Sequence, residues 1–328
     1  MKLGWGLLST ARINRRLIPA IRSAKRSELV AVASRSQARA DAYAAEWRIS
    51  RAHGSYQALL DDPDIDAVYI SLPNSLHAEW TTRAAQAGKH VLCEKPLALN
   101  VAECDQIIAA AEAAGVVAAE AVMYLYHPLL HKARELVRDG AVGQVKLVRG
   151  SFSFFLDRPD DVRWRPELGG GSLWDVGSYP VSFIRWMAGE PEQVFGWQTS
   201  TDSGIDETFA GLLRYESGVL GVFDSSFCQP FRVQAEVMGS TGTLTVERPF
   251  PIDSQSRITL RRDSKEKKIT VPQANAYRCQ VEALTAAALD GATLPVPLSS
   301  SRANVATLAA LYVSAREGMM PRAQRPSR

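Results

Sequence analysis

The sequence predicts an α/β fold: an N-terminal Rossmann-type, doubly wound parallel sheet, followed by an α+β region built on a large, mostly antiparallel open sheet. Three observations predict it. The first 120 or so residues alternate short, nearly continuous apolar runs with longer segments of helical periodicity. That is the pattern of strands covered on both faces and joined by crossover helices. After residue 123 strand signals dominate, and short turns such as ESG and STG separate several of them, as in antiparallel sheets. Finally, 328 residues suffice for two domains, each with its own core. The division expected is 1–122 and 123–328.

The elements follow in order. Strand-length apolar runs are LGWGLL (3–8), ELVAVAS (28–34), AVYISL (67–72), HVLCE (90–94) and VVAAEA (116–121). Between them lie helical segments such as AEWTTRAAQAGKH, with Gly88 placed as a C-cap. VAECDQIIAAAEAAG has Asn100 as N-cap and Glu103 at the capping-box position. A helix over 127–138 precedes a long strand, VKLVRGSFSFFL (145–156). A loop, RPDDVRWRPELGGG, leads to SLWDVGSYP. The later strand candidates are QVFGWQTS, TFAGLLRY, LGVFDSSF, RVQAEVMGS, GTLTVE, RITLRR and KKITVP, and two helices close the chain.

Composition narrows the function classes. Hydrophobic residues are 46% and charged residues 22%, with a net charge of +3 and both signs interspersed. No basic face points to nucleic acid. The basic stretch Arg322–Arg328 reads as a solvated end. Cys93, Cys104, Cys228 and Cys279 lack metal-ligand spacing, so reduced thiols and a cytoplasmic setting without a metal are expected. Met1 leads almost directly into a strand, and no apolar run reaches membrane-span length.

The first strand and its turn read WGLLSTARINRR (5–16). Gly4-x-Gly6-x-x-Ser9 is a decoy, because both glycines lie inside the strand. Registered at the strand end, the dinucleotide fingerprint G-x-G-x-x-G falls on Ser9, Ala11 and Asn14. Ser9 can turn the chain and offer a hydroxyl to a phosphate, Ala11 adds one methyl, and Asn14 departs from the pattern. The N–H groups of Thr10, Ala11, Arg12 and Ile13, opening a helix over 11–24, point at an anion. The second strand ends in VASRS (32–36) with no acid for a ribose 2′-hydroxyl. Ser34, Arg35 and Arg39 suit a 2′-phosphate, which favours NADP over NAD; an ordinary N-cap serine with surface arginines is the plainer reading.

Two further stretches carry chemistry. VLCEKPLALN (91–100) sets Glu94-Lys95-Pro96 at the C-terminal end of the fourth apolar run, where open parallel sheets bind ligands. There Lys95 can orient a substrate oxygen and lower a neighbour's pKa, or be a plain surface lysine. In GGGSLWDVGSYPVSF (169–183), helical geometry over 172–179 would put Asp175 and Tyr179 on one face. Pro180 costs such a helix a hydrogen bond at Val176. The alternative is a glycine-rich helix entry with a capping Asp175 and a core Tyr179.

These stretches, with LPNSLHAEW (72–80) and EAVMYLYHP (120–128), resemble the Gfo/Idh/MocA oxidoreductases. The resemblance spans the whole first domain and the active-site half of the second. It implies a Rossmann domain followed by a large open sheet, with the helix over 302–318 returning toward the first domain. It implies a catalytic Lys95, a substrate-binding Asp175 and a cis bond before Pro96. Tyrosine at 179 matches the branch with dimeric dihydrodiol dehydrogenase, NADP-dependent D-xylose dehydrogenase and glucose–fructose oxidoreductase. Leu72, Pro73, Asn74 and His77 match the stretch lining the nicotinamide end, though His77 can equally cap a helix. Tyr126 and His127 are candidate substrate contacts, His127 equally a packed structural histidine. Arg163 and Trp164 either close over a sugar or anchor a loop. Cys93 reads as a buried hydrophobe. The implied activity is NADP-dependent oxidation of an aldose such as D-xylose by a homodimer or homotetramer. A ketosugar reductase, a trans-dihydrodiol dehydrogenase and a catalytically idle nucleotide-binding sensor are the alternatives. In the implied mechanism Tyr179 accepts the proton and Lys95 lowers its pKa.

Overall fold

The computed structural model describes residues 1–250 and 252–317. Its first sheet has six strands: β1 (Leu3–Leu8), β2 (Ser27–Ala33), β3 (Arg51–His53), β4 (Ala67–Ile70), β5 (His90–Cys93) and β6 (Ala118–Glu120). Their order is β3-β2-β1-β4-β5-β6, and every pair is parallel. The connections are α1 (Asn14–Ser23), α2 (Gln37–Trp47), α3 (Tyr56–Leu60), α4 (His77–Gln86) and α5 (Val101–Ala114). The strand order reverses between β1 and β4, which opens a crevice at their C-terminal ends.

Burial explains which strands the sequence announces. β1 and β4 are buried at every residue, so neither face needs a polar side chain. β3 is three half-buried residues, Arg-Ala-His, too short and too polar to read as a strand. At α5, Asn100 accepts from the Glu103 N–H at 2.9 Å. The Glu103 carboxylate reaches back to the Leu99 N–H at 3.0 Å, one residue beyond the N-cap N–H of the reciprocal box. α1 begins at Asn14 rather than at residue 11. The Asn14 N–H bonds to Ala11 O at 3.1 Å, so residues 11–13 form a tight turn instead of a helical one.

After α6 (Pro128–Arg138) comes β7 (Val145–Phe155), a loop, a π-helical turn (Leu173–Gly177) and α7 (Ser178–Ala188). Then follow β8 (Gln193–Ser200), β9 (Asp206–Arg214), β10 (Leu220–Ser226), β11 (Cys228–Gly239), β12 (Gly242–Glu247), β13 (Arg257–Arg262) and β14 (Lys265–Ile269). The eight strands run β14-β13-β12-β11-β7-β10-β9-β8. All neighbours are antiparallel except β7 and β10. α7 lies on one face, where glycines let it approach: a Cβ at Gly150 would meet Pro180 at 2.7 Å, and one at Gly221 would meet Ile184 at 2.6 Å. On the opposite face Phe195, Trp197, Leu212 and Leu220 are exposed; Phe195 and Leu212 pair directly across β8 and β9.

The chain then returns to the first sheet. α8 (Ala276–Asp290) buries Val281 and Leu284 among Leu3, Trp5 and Leu17. Arg26 bonds Asp290 at 2.6 Å, and Ser27 meets Thr285 at 3.0 Å. α9 (Leu298–Glu317) lies against α5, with Arg302 and Asp105 paired at 2.5 Å. Position 318 and the basic stretch 322–328 lie outside the described residues. No described helix is long and apolar enough to cross a membrane.

Candidate active site

The crevice between β1 and β4 opens into a cleft of about 980 Å³ lined from both sheets. Its first wall is the turn after β1. Ser9 adopts φ +137°, a region that favours glycine, so the first fingerprint position keeps the glycine conformation without the glycine. Gly4 and Gly6 serve the strand instead: a Cβ would meet Asp64 O at 2.4 Å and Leu59 Cδ2 at 2.7 Å, respectively. Ala11, Arg12, Ile13, Arg15 and Arg16 line the cleft at the start of α1. Three guanidiniums beside an open helix N-terminus are a donor set for an anion such as a diphosphate.

One expectation for this wall needs correction. Ser9 is buried, and its hydroxyl meets Ser71 Oγ at 2.8 Å and Ser71 O at 3.0 Å. A hydroxyl has one proton, so Ser9 has none left for a phosphate. Ser9 and Thr10 are not in the cleft lining. Ser34 is buried, with its N–H on His53 O at 3.0 Å. Arg35, just after β2, and Arg39, in the first turn of α2, are exposed, and none of the three lines the cleft.

The second wall brings Lys95 together with Asp175, 80 residues on, and with Tyr179. Lys95 precedes Pro96 through a cis peptide bond. Its Nζ lies 2.7 Å from Asp175 Oδ1, 2.8 Å from Asp175 O and 5.2 Å from the Tyr179 ring centroid. Arg163 Nε donates to Asp175 Oδ2 at 2.5 Å. Burial favours the neutral Asp175 carboxyl, but the Arg163 and Lys95 charges outweigh it and hold it well below the usual carboxylate range. The Tyr179 phenol goes the other way. Burial pushes it well above its ordinary value, and Tyr277, Glu94 and Asp175 add to the shift. This overturns a phenol lowered by Lys95: the ammonium sits over the ring face and is committed to Asp175. The nearest partner of the Tyr179 hydroxyl is Met123 Sδ at 4.0 Å.

The helix expected over 172–179 is a π turn that passes into α7. Its entry is pinned by the buried Asp206, which accepts from Leu173 N–H at 2.7 Å, Ser172 Oγ at 2.9 Å and Tyr312 Oη at 2.6 Å. Gly171, at φ +119°, is required here, because a Cβ would meet Asp206 Oδ1 at 2.1 Å.

Leu72, Pro73, Asn74, His77 and Glu94 line the cleft. Asn74 donates to Gly169 O at 2.8 Å, tying the first sheet to the glycine loop. His77 is 1% exposed, and its ring nitrogens meet Pro96 O at 2.7 Å and Leu72 O at 2.8 Å. It braces the Lys95 loop. Glu94 is bonded to the Tyr69 hydroxyl, and burial raises its pKa.

Three expected substrate contacts lie elsewhere. Tyr126 is buried in the core, with its hydroxyl near Glu120 O. His127 caps α6 by accepting from the Leu129 N–H at 3.1 Å, and its other nitrogen meets Ala274 O at 3.1 Å. Trp164 packs edge-on against Phe227 at 5.3 Å. Tyr126 and His127 spend their polar atoms on the protein itself, and none of the three lines the cleft. Cys93 is fully buried, and burial pushes its thiol up. The sequence reading missed Tyr277, Phe152 and Phe154, which also line the cleft. Tyr277 arrives on α8, and no local motif marks it.

Comparison with known proteins agrees with this architecture. Residues 3–122 match the family model described as an oxidoreductase family with an NAD-binding Rossmann fold, and residues 130–245 match the GFO/IDH/MocA C-terminal domain. The chain is 41% identical over 319 residues to D-xylose 1-dehydrogenase (NADP(+)) 2 of Haloferax volcanii, covering 96% of this chain and 98% of that one. An aldose–aldose oxidoreductase from Caulobacter crescentus, solved with glycerol, superposes with a TM-score of 0.89 at 29% identity, over 97% of this chain and 98% of the other. A 3-ketoreductase from Actinomadura kijaniata, solved with NADP and TDP-benzene, gives 0.89 at 28%, over 96% and 98%.

Proposed function

We propose an activity for this chain, which belongs to the GFO/IDH/MocA oxidoreductase family: NADP-dependent oxidation of a sugar, an aldose such as D-xylose at C1. The observation that carries it is the Lys95 ammonium, held 2.7 Å from Asp175 Oδ1 and over the Tyr179 ring at the mouth of the switch-point crevice. An NADP-dependent xylose dehydrogenase 41% identical over nearly the whole chain supports the substrate class.

Residues 1–122 would bind the cofactor, and 123–328 would supply most of the substrate wall and the assembly surface. Ala11, Arg12 and Ile13 would hold the diphosphate, with Ser34, Arg35 and Arg39 toward a 2′-phosphate. Leu72, Pro73, Asn74 and Glu94 would flank the ring end. When bound, NADP supplies two-electron redox chemistry. The protein's own groups then handle the sugar. The ionised Asp175 accepts a hydrogen bond from a sugar hydroxyl and fixes which carbon faces the crevice. Arg163 holds that carboxylate in place. Tyr179 Oη takes the proton of the reacting hydroxyl in oxidation and returns it in reduction. Lys95 Nζ, bonded to Asp175 and over the Tyr179 ring, supplies positive charge to the site where charge develops on the substrate oxygen. Because burial raises the Tyr179 phenol, oxidation should speed up with pH, as phenolate becomes accessible.

A ketosugar reduction at the same residues is the second reading, favoured by the likeness to the 3-ketoreductase. We place the protein in the cytoplasm, as a homodimer or homotetramer through the uncovered face of the eight-stranded sheet. The direct test of function is absorbance of reduced nicotinamide, with NADP and NAD each tried against aldoses, inositols and trans-dihydrodiols. Turnover with NADP and an aldose is expected. A strong preference for NAD would remove the 2′-phosphate argument, and turnover only with diols would replace the substrate.

A further inference from the structure

The turn after β1 departs from the glycine fingerprint at all three positions, and the structure shows what stands in their place. Asn14, the first residue of α1, is 0% exposed. Its Nδ2 donates to Ser9 O at 2.8 Å. Its Oδ1 accepts from Ser71 Oγ, also at 2.8 Å. Ser71 Oγ in turn lies 2.8 Å from Ser9 Oγ, and Ser9 Oγ accepts from the Ala11 N–H at 3.1 Å.

Proton counting gives this network a direction. Each hydroxyl has one proton. Ser71 gives its proton to Asn14, so the Ser9 proton goes to Ser71, whose Oγ at 2.8 Å and carbonyl oxygen at 3.0 Å are both in reach. The bonds then close a ring: Ser9 to Ser71, Ser71 to Asn14, and Asn14 back to the Ser9 carbonyl. The ring joins the end of β1, the residue just after β4 and the first residue of α1. It fixes Ser9 at φ +137°, a conformation serine rarely adopts without such support. The anion-facing turn, Ala11–Ile13, is strung between two of its members.

We propose that Asn14 and Ser71 are positioning residues for the cofactor diphosphate. Their side chains do by hydrogen bonding what glycines do elsewhere by lacking a Cβ. This rests on the proposed binding of NADP at the start of α1. It has a counterintuitive consequence. Restoring the consensus glycine by Asn14→Gly loosens the turn, because Ser9 O and Ser71 Oγ lose their partner and a helix residue gains backbone freedom.

The test is titration with NADP(H), followed by nicotinamide fluorescence, alongside melting curves without ligand. The set is the parent, Asn14→Gly, Ser71→Ala, the double variant and Ser71→Thr. Asn14→Gly and Ser71→Ala each should weaken binding about tenfold or more while melting cooperatively. The double variant should bind within about twofold of the weaker single, because a ring broken once is already broken. Ser71→Thr keeps the hydroxyl proton and should restore binding. Binding within about twofold of the parent for both singles overturns the proposal. So do losses that multiply in the double variant, or a Ser71→Thr as weak as Ser71→Ala. A parent that binds neither NADP nor NAD overturns the cofactor reading and this proposal with it. A parent that binds, with unaffected variants, overturns this proposal alone.

Discussion

Burial and charge act with opposite signs on the acids around the cleft. Asp175 is held ionised because two bonded cations outweigh its burial, whereas Arg185 and Lys95 do not outweigh that of Glu120. Glu120 is 3% exposed and accepts from the Leu97 N–H at 3.0 Å, two residues after Lys95. Burial raises its carboxyl, against smaller opposing effects of Ser301, Leu97, Arg185 and Lys95. A carboxyl raised in the folded state contributes stability that is complete below the unfolded value, about 4.3, and is lost as pH rises through the folded value. Glu120→Gln keeps an acceptor for Leu97 and removes the titration. Its melting temperature relative to the parent should therefore be higher at pH 8 than at pH 5, by about 2 °C or more. The comparison across pH cancels any constant cost of the amide. An unchanged difference would show that Glu120 is not held neutral by its site.

The elements that position the chemistry differ in how plainly the sequence announces them. β4 and β5 are continuous apolar runs because both faces are covered, and α5 carries its cap in Asn100. The π turn at Leu173–Gly177 is not legible. Asp206 on β9 grips its backbone from afar and is itself held by Tyr312 on α9. Pro180 is the local hint that the helix there is not regular. The same reason hid Tyr277, whose helix comes back to the first sheet after 14 strands. The motif residues Lys95, Asp175 and Tyr179 were legible because strand ends and glycine-rich entries leave local signals. Trp164 and His127 sat beside such signals, but neighbours from other elements, Phe227 and Ala274, claimed them.

At the scale of the whole molecule, the eight-stranded sheet has one face under α7, and the described residues leave the other uncovered. Phe195, Trp197, Leu212 and Leu220 are 41%, 56%, 38% and 43% exposed, a cluster of large apolar side chains that a monomer would leave in water. Sedimentation equilibrium should give two or four times the chain mass of 35.9 kDa. A single-chain mass at micromolar concentration would contradict assembly through that face. Both sheets meet at the cleft, so the chemistry depends on the first sheet's Lys95 reaching the second region's Asp175 and Tyr179. The most direct measurement is NADP reduction with D-xylose by the parent, Lys95→Ala and Tyr179→Phe, with NADP binding followed in parallel. The parent should turn over, and each variant should lose about 100-fold or more in kcat while still binding NADP. Variants that keep the parent's rate, or a parent that binds NADP and turns over no sugar, would contradict the assignment of this site.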